Sequence, residues 1–175
     1  MAVIDDTPVE APEGVEVRET GAGAFQLKVR AGGVSFFADE PRAAGGLGSG
    51  PTPYDLLSSA LGACTAMTVR LYAARKGWPL REVAVRVIHR RSDLQAKDRF
   101  AREITLTGEL TGEQRRRLQE IAERCPVHLT LERGSEIVTV LAEQPREGGL
   151  DPQPVGHMTD MLEACQDEVG QNPRP

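Results

Sequence analysis

The segment from Gly45 to Trp78, GGLGSGPTPYDLLSSALGACTAMTVRLYAARKGW, decides the fold of this 175-residue chain. Its first part is rich in glycine and proline, which is typical of a loop. The next residues, TPYD, have the pattern of a helix start, with Thr52 as the N-cap and the Asp55 carboxylate returning to the cap. The sequence therefore predicts a helix from Pro53 to Lys76. At 1.5 Å per residue this helix is about 36 Å long, which is long enough to cross a core.

One face of the predicted helix is apolar and carries a cysteine near its middle. Small residues surround Cys64 and allow another backbone to approach closely. Gly62 lowers the helix propensity by about 1 kcal/mol relative to alanine, so we expect close packing to compensate. The apolar positions recur at helical spacing and are Leu56, Leu57, Ala60, Leu61, Cys64, Met67, Thr68 and Leu71.

The remaining pattern predicts an α+β fold, a mostly antiparallel sheet wrapped around the long central helix. Alternation of apolar and polar residues predicts three strands before the helix and a hairpin of two long strands after it. A Thr111–Gln114 capping box opens a second helix, which ends or kinks at Cys125 because Pro126 follows. The predicted strands begin near Val15 and near Phe25, and then cover Val34–Ala38, Leu80–Arg91, Ala101–Gly108 and Ile137–Ala142.

Composition divides the chain into three parts. Residues 1–14 are acidic and contain prolines, which predicts a flexible arm. Residues 15–144 form the predicted domain. Residues 145–175 are a linker followed by a possible short helix at Thr159–Glu168, which contains Cys165.

Charge and hydropathy narrow the class of protein. The net charge is −5, and the longest basic run is the three arginines at 115–117. These values argue against a nucleic-acid partner. No apolar run approaches the roughly 18 residues of a membrane span, and the N-terminus does not resemble a signal peptide. We therefore expect a cytoplasmic protein without a membrane partner, whose three cysteines are not a disulfide framework.

Cys64 and Cys125 are the main candidates for chemistry, since each lies on the apolar face of a predicted helix. Buried free cysteines are often inert core residues, and that alternative stays open. A nucleophilic Cys64 needs a nearby cation, because an ordinary thiol with a pKa of about 8.5 is mostly protonated at pH 7. The candidate cations precede the helix and are Arg18, Arg30 and Arg42.

Three further features have alternative interpretations. Asp55 either closes the helix cap or orients an arginine towards Cys64. Cys125 and His128 have the Cys-x-x-His spacing of a zinc site, but no second ligand pair at comparable spacing accompanies them. The glycines of the Gly45–Gly50 loop match no phosphate-binding pattern and indicate a mobile lid or a crossover.

Two motifs resemble the OsmC/Ohr family of osmotically inducible and organic hydroperoxide resistance proteins. The first runs from Gly50 to Thr65 and contains PTPYDLL and ALGACT. The second, RCPVH, begins at Arg124, about sixty residues later. The similarity extends over roughly Val15 to Ala142, and it is greatest to the OsmC-like branch with a Pro-Tyr-acidic helix start.

The resemblance implies an intertwined homodimer and a thiol-dependent peroxidase that needs no metal or flavin. By this analogy Cys64 attacks an organic hydroperoxide and becomes a sulfenic acid, and Cys125 resolves it as a disulfide. A dithiol such as a lipoylated protein then reduces the disulfide. Arg18 is the best match to the arginine that stabilises the family's thiolate. The family's glutamate position is occupied by Tyr54, with the acid shifted to Asp55.

The sequence thus gives one main hypothesis and one alternative. The hypothesis is a cytoplasmic dimeric peroxidase with a catalytic set of Cys64, Cys125, Arg18 and Asp55. The alternative is a non-enzymatic dimer that binds a small apolar ligand or a partner, with structural cysteines.

Overall fold

The computed structural model describes residues 14–139, 141 and 156–166, which fall into two compact units. The first unit comprises the described residues up to Leu56 together with Thr139 and Leu141. The second comprises residues 57–138 and 156–166. Nearly all of the predicted N-terminal arm and most of the predicted linker lie outside the described residues.

The first unit contains a three-stranded antiparallel sheet, as the alternation predicted. Its strands are β1 (Val15–Glu19), β2 (Leu27–Ala31) and β3 (Val34–Ala38). The order is β1-β2-β3, and Val29 of the middle strand pairs with Val17 on one side and Phe36 on the other.

A buried carboxylate organises the loop that follows β3. Asp39 is only 2% exposed and accepts hydrogen bonds from the backbone N–H groups of Glu40, Leu47 and Ser49 and from the Ser49 hydroxyl. Burial by itself raises the pKa of Asp39, but these hydrogen bonds, those of Ser49 first, lower it below its ordinary value. The loop is therefore built around an anion.

Two glycines of this loop lie against backbone. A Cβ atom on Gly46 would lie 1.9 Å from the carbonyl oxygen of Glu40, and one on Gly50 would lie 1.9 Å from that of Phe37. No side chain fits at either position. This packing favours the crossover interpretation of the Gly45–Gly50 loop over the mobile lid.

The long helix, α1, spans Pro53–Arg75, one residue less than predicted. Its predicted cap is present. The Asp55 N–H donates to Thr52 Oγ1 at 3.2 Å, and the Thr52 N–H donates to Asp55 Oδ2 at 2.9 Å. After the last turn, Gly77 has a φ of +64°, a conformation that glycine adopts without strain.

The buried face of α1 differs in part from the predicted one. Leu57 and Met67, both placed by the spacing on the apolar face, are 43% and 53% exposed, whereas Leu61, Cys64 and Thr68 of that face are buried. Apolar residues lie on two sides of this helix, so the spacing alone identified the covered side only in part. The buried residues are Leu61, Cys64, Thr65, Thr68, Val69, Tyr72 and Ala73.

By length and composition alone, α1 is also apolar enough to cross a membrane, which the sequence analysis did not anticipate. The core helix of a globular protein meets the same criterion. In the second unit Val69, Tyr72 and Ala73 of α1 belong to a core cluster with Leu118 and Ile121. Burial of this kind is typical of a core helix.

The second unit contains the predicted hairpin and three further helices. Strands β4 (Leu80–Arg90) and β5 (Arg99–Gly108) pair antiparallel, with Val87 opposite Arg102. Helix α2 (Gly112–Ala122) begins with the predicted capping box and buries the predicted residues Leu118, Ile121 and Ala122. It ends before Cys125, as Pro126 requires. Two shorter helices are α3 (Pro126–Arg133) and α4 (His157–Ala164).

The α+β class and the antiparallel pairing are confirmed, but two predicted elements differ. The described strands form two sheets, of three and two strands. The predicted strand at Ile137–Ala142 is wrong for the residues that the structure describes there, because 137–139 and 141 have no regular structure. Ile137 and Val138 are largely exposed, and no strand among the described residues pairs with them. The alternation of apolar residues was therefore not enough to predict a strand in this segment.

Candidate functional site

Cys64 and Cys125 meet inside the second unit. Both thiols are free, and they are 2% and 0% exposed. The two side chains are hydrogen-bonded to each other. They form a small core cluster with Leu61, and the partly buried residues around it are Val87, Phe100, Val127 and Leu131. The arrangement is a reduced dithiol held in an apolar pocket.

Helix α3 begins at this dithiol because of the sequence Cys125-Pro126. Pro126 favours an extended residue before it, and Cys125 is extended with φ −63° and ψ 138°, at the N-cap of α3. The first free N–H groups of the helix therefore face the two sulfurs. The Val127 N–H lies 3.4 Å from Cys64 Sγ, and the His128 N–H bonds Cys125. A helix N-terminus stabilises a thiolate.

A buried guanidinium lies on the other side of Cys125. The Arg102 side chain is only 8% exposed, and its Nη1 lies 3.9 Å from Cys125 Sγ. The same nitrogen donates to Thr65 Oγ1 at 2.7 Å and to the Ala122 carbonyl at 3.1 Å, while Nη2 pairs with Glu123 at 3.0 Å. These contacts fix the cation beside the sulfur.

An imidazole lies next to the other sulfur. His157 is the first residue of α4, and its Nε2 lies 3.2 Å from Cys64 Sγ. The two cysteines therefore have different neighbours: Cys125 has a permanent cation, whereas Cys64 has a group that can take or give a proton.

The hydrogen bond between the two sulfurs is the largest influence on which of them is ionised in the reduced pair. The hydrogen bond from Cys64 lowers the pKa of Cys125 to about 5, with help from Thr65, the His128 N–H and the charge of Arg102, against the opposing effect of burial. The hydrogen bond to Cys125 raises the pKa of Cys64, and burial raises it further. One proton is shared, and it resides on Cys64.

The other predicted site residues lie in the first unit. Asp55 closes the cap of α1, and its hydrogen bonds with the Thr52 hydroxyl and N–H lower its pKa. Arg18 lies on β1, where its Nε donates to the Glu16 carboxylate at 2.7 Å. The contacts of Asp55 are those of the capping interpretation. An action of Arg18 or Asp55 on Cys64 stays a prediction.

The zinc interpretation of Cys125 and His128 has no support from their contacts. The Cys125 sulfur is directed to Cys64 and Thr65, whereas His128 Nε2 lies 3.6 Å from carboxylate oxygens of Glu123 and Glu132. Within residues 14–139, 141 and 156–166, no three His, Cys, Asp or Glu side chains are grouped closely enough to hold a metal ion.

The sequence analysis missed Arg102 and His157. The sequence contained an indication of Arg102, because this residue occupies an inward position of β5 between Phe100 and Ile104, where an apolar residue is expected. A charged residue in such a register needs a buried partner. For His157 there was no such indication, since it is 93 residues from Cys64 and only the docking of α4 joins them.

The fold and the site define a class of protein: an α+β domain with two reduced cysteines side by side at a helix N-terminus, next to a buried cation. The sequence matches the OsmC-like protein family over residues 46–140, more than half of its length. The chain belongs to this family. Among curated proteins, none matches the sequence of this chain.

Solved structures share this fold at low sequence identity. An OsmC-like protein from Mycoplasma pneumoniae is similar with a TM-score of 0.58 and 18% identity, over 68% of this chain and 86% of that one. A hypothetical protein from Aquifex aeolicus gives a TM-score of 0.57 at 13% identity, over 70% and 88%. A Legionella pneumophila protein described as the organic hydroperoxide resistance protein OsmC gives 0.52 at 21% identity, over 67% and 86%.

Proposed function

We propose that this protein is a thiol-dependent peroxidase that reduces organic hydroperoxides through a Cys64/Cys125 couple. The observation that carries the proposal is the pair of reduced, buried thiols in hydrogen-bond contact, with Arg102 beside one of them. Membership of the OsmC-like family supports the same chemistry. The name of the Legionella neighbour suggests the substrate class.

The first step oxidises Cys64. Its sulfur, as the thiolate, attacks the terminal oxygen of the hydroperoxide, so that an S–O bond forms as the O–O bond breaks. The cysteine loses two electrons and becomes a sulfenic acid, and the peroxide leaves as an alkoxide that takes up a proton to give the alcohol. The family resemblance gives this role to Cys64, and its thiolate, once formed, is intrinsically the more nucleophilic of the two because its pKa is the higher.

The second step uses the ionised Cys125. A thiol with a pKa of about 5 is present as thiolate at neutral pH without further activation. Its sulfur attacks the sulfur of the Cys64 sulfenic acid, an S–S bond forms, and the hydroxyl leaves as water after taking a proton. The Val127 and His128 N–H groups lie at the two sulfurs, where the transition-state charge is spread.

A dithiol then reduces the disulfide, and a lipoylated protein is the proposed donor. Attack on the Cys64 sulfur releases Cys125, and a low-pKa thiolate leaves fastest. The cycle requires no metal or organic cofactor, and we place it in the cytoplasm. We further propose a homodimer, which the exposed apolar side chains of Leu57 and Met67 on α1 and of Ile137 and Val138 support.

Mass spectrometry of the wild type and of variants with one cysteine replaced by serine tests the proposal. One equivalent of cumene hydroperoxide should remove two hydrogens from the wild type and join Cys64 to Cys125. Cys125→Ser should instead accumulate a sulfenic acid at Cys64 that a dimedone reagent traps, and Cys64→Ser should not consume peroxide. Unchanged thiols in the wild type would favour the non-enzymatic alternative. A sulfenic acid at Cys125 in Cys64→Ser would reverse the two roles.

A further inference from the structure

The contact between His157 and Cys64 is not explained by the redox couple alone. The family match ends at residue 140, whereas α4 begins at His157. The imidazole therefore comes from a segment outside the matched domain, yet its Nε2 lies 3.2 Å from the sulfur that must react first.

Helix α4 is held against the second unit by residues other than His157. Met161 and Cys165 are buried, and Cys165 Sγ lies 3.6 Å from the carbonyl oxygen of Thr68 on α1. At the end of α1, Arg75 Nη1 lies 3.4 Å from the Leu162 carbonyl. Because these contacts dock the helix, a substitution at His157 should leave α4 in place.

Cys64 needs such a group for two reasons. Its proton is engaged with the Cys125 sulfur, so it has to move before the Cys64 sulfur can attack. In addition, a second thiolate next to an ionised Cys125 places two like charges in an apolar pocket, which is strongly unfavourable. A protonated imidazole beside Cys64 offsets the second negative charge.

We propose that His157 is the acid–base residue of the peroxidatic step, and this inference rests on the proposed peroxidase function. With its hydrogen on Nδ1, the neutral ring accepts the Cys64 thiol proton at Nε2. The thiolate then attacks the terminal peroxide oxygen, the S–O bond forms and the O–O bond breaks. The imidazolium returns its proton to the departing alkoxide, which leaves as the alcohol. Thiol and hydroperoxide thus become sulfenic acid and alcohol, with no net change of protons.

Alkylation measures the proton transfer from Cys64 without peroxide. In a Cys125→Ser background, the rate at which iodoacetamide modifies the Cys64 peptide at pH 7 reports the activation of that sulfur. We expect His157→Ala and His157→Gln to lower this rate about tenfold. Met158→Ala is the matched control, because its side chain is 57% exposed on the same helix, and it should alkylate at the unsubstituted rate. Equal rates in all four proteins would overturn the proposal.

Peroxide oxidation tests the second half of the proposal. General acid–base groups contribute about 10²–10⁴-fold to rates, so both His157 variants should form the sulfenic acid at least about 100-fold more slowly than Met158→Ala. Slow alkylation together with normal oxidation would refute the proton return to the alkoxide. If the parent protein does not react with peroxide at all, the peroxidase function fails, while slow alkylation would still assign His157 as the base for Cys64.

Thermal melting checks that the His157 variants are folded, so that a slower reaction can be assigned to the loss of the imidazole. Each His157 variant should melt within a few degrees of Met158→Ala, because the buried contacts of α4 do not involve the ring. If His157→Ala alone unfolds α4, His157→Gln decides, since its amide still forms hydrogen bonds but does not take a proton at neutral pH. A His157→Gln protein that is folded and reacts at the control rate would overturn the proposal.

Discussion

Two buried anions, one in each unit, are stabilised in different ways. The Asp39 carboxylate receives its hydrogen bonds from Glu40, Leu47 and Ser49, all within ten residues along the chain. The Cys125 thiolate receives its stabilisation from α1, β5 and the start of α3, and Arg102 and Cys64 are 23 and 61 residues away. The first anion orders a loop, whereas the second belongs to the proposed reactive site.

The difference lies in what each anion can do once it is formed. The donors around Asp39 are backbone and hydroxyl groups of its own loop, which are the contacts of a structural carboxylate. Around Cys125, one donor is the Cys64 thiol, which is itself consumed in the proposed reaction. In the proposed reaction, the Cys64 thiol that stabilises the Cys125 thiolate is therefore the group that reacts first.

The largest effect is expected for Cys125→Ser, which removes the reactive anion altogether. Turnover with a dithiol reductant should fall by more than about 100-fold, because no internal disulfide can form and the Cys64 sulfenic acid is reduced only by an external thiol. The rate of peroxide consumption in the presence of dithiothreitol measures this turnover. Met158→Ala serves as the control, since its side chain is 57% exposed. Turnover near the wild-type rate would contradict the resolving role.

A smaller effect is expected for Arg102→Met, which removes the cation but keeps a long side chain in the pocket. The pKa of Cys125, now about 5, should rise, so that the thiolate absorbance at 240 nm appears at higher pH. Disulfide formation at pH 6 should slow by about twofold, because the thiolate is the reacting form and about half of it is lost when the pKa reaches the pH of the assay.

A matched substitution is Arg99→Met on the same strand, at an exposed outward position. It should leave the absorbance titration unchanged. If Arg102→Met leaves it unchanged too, the hydrogen bonds alone stabilise the Cys125 thiolate.

Asp39→Asn tests the other anion and should affect stability rather than chemistry. Because the folded-state pKa of Asp39 is lowered, its ionised form contributes stability above its ordinary, unfolded-state pKa. That contribution is lost as the pH falls through the folded-state pKa. The variant should therefore melt a few degrees below the wild type at pH 7, and the difference should shrink in acid. Glu40→Gln is a neighbouring control. A pH-independent difference would assign the effect to packing.

The smallest effect is expected at Gly62, which is on α1 within one turn of Cys64. A Cβ atom there would lie 3.5 Å from Val87 Cγ2, an ordinary contact. Gly62→Ala should therefore stabilise the protein by up to about 1 kcal/mol and leave the rate of peroxide consumption unchanged. Thermal melting at several protein concentrations measures it. A large, concentration-dependent loss of stability would instead show that a partner subunit packs at this position.

The sequence predicted the features that depend on neighbouring residues. The Thr52/Asp55 cap, the Thr111/Gln114 capping box and the break at Cys125-Pro126 each follow from hydrogen bonds or steric limits within a few residues. The same reasoning found the hairpin of β4 and β5 and singled out Cys64 and Cys125, the two cysteines that meet at the site. It identified the covered side of α1 only in part: Leu61, Cys64 and Thr68 are buried as the spacing indicated, whereas Leu57 and Met67 are exposed.

The tertiary structure alone decided how the two sulfurs are surrounded. The sequence named Arg18 as the cation for Cys64, which stays a prediction, but it named neither Arg102 beside Cys125 nor His157 beside Cys64. These contacts join residues 23 and 93 positions apart, and no local rule fixes distances of that kind. The sequence set which residues can ionise, but a pKa depends on the atoms within a few ångströms, and only the packing of α1, β5, α3 and α4 brings those atoms together.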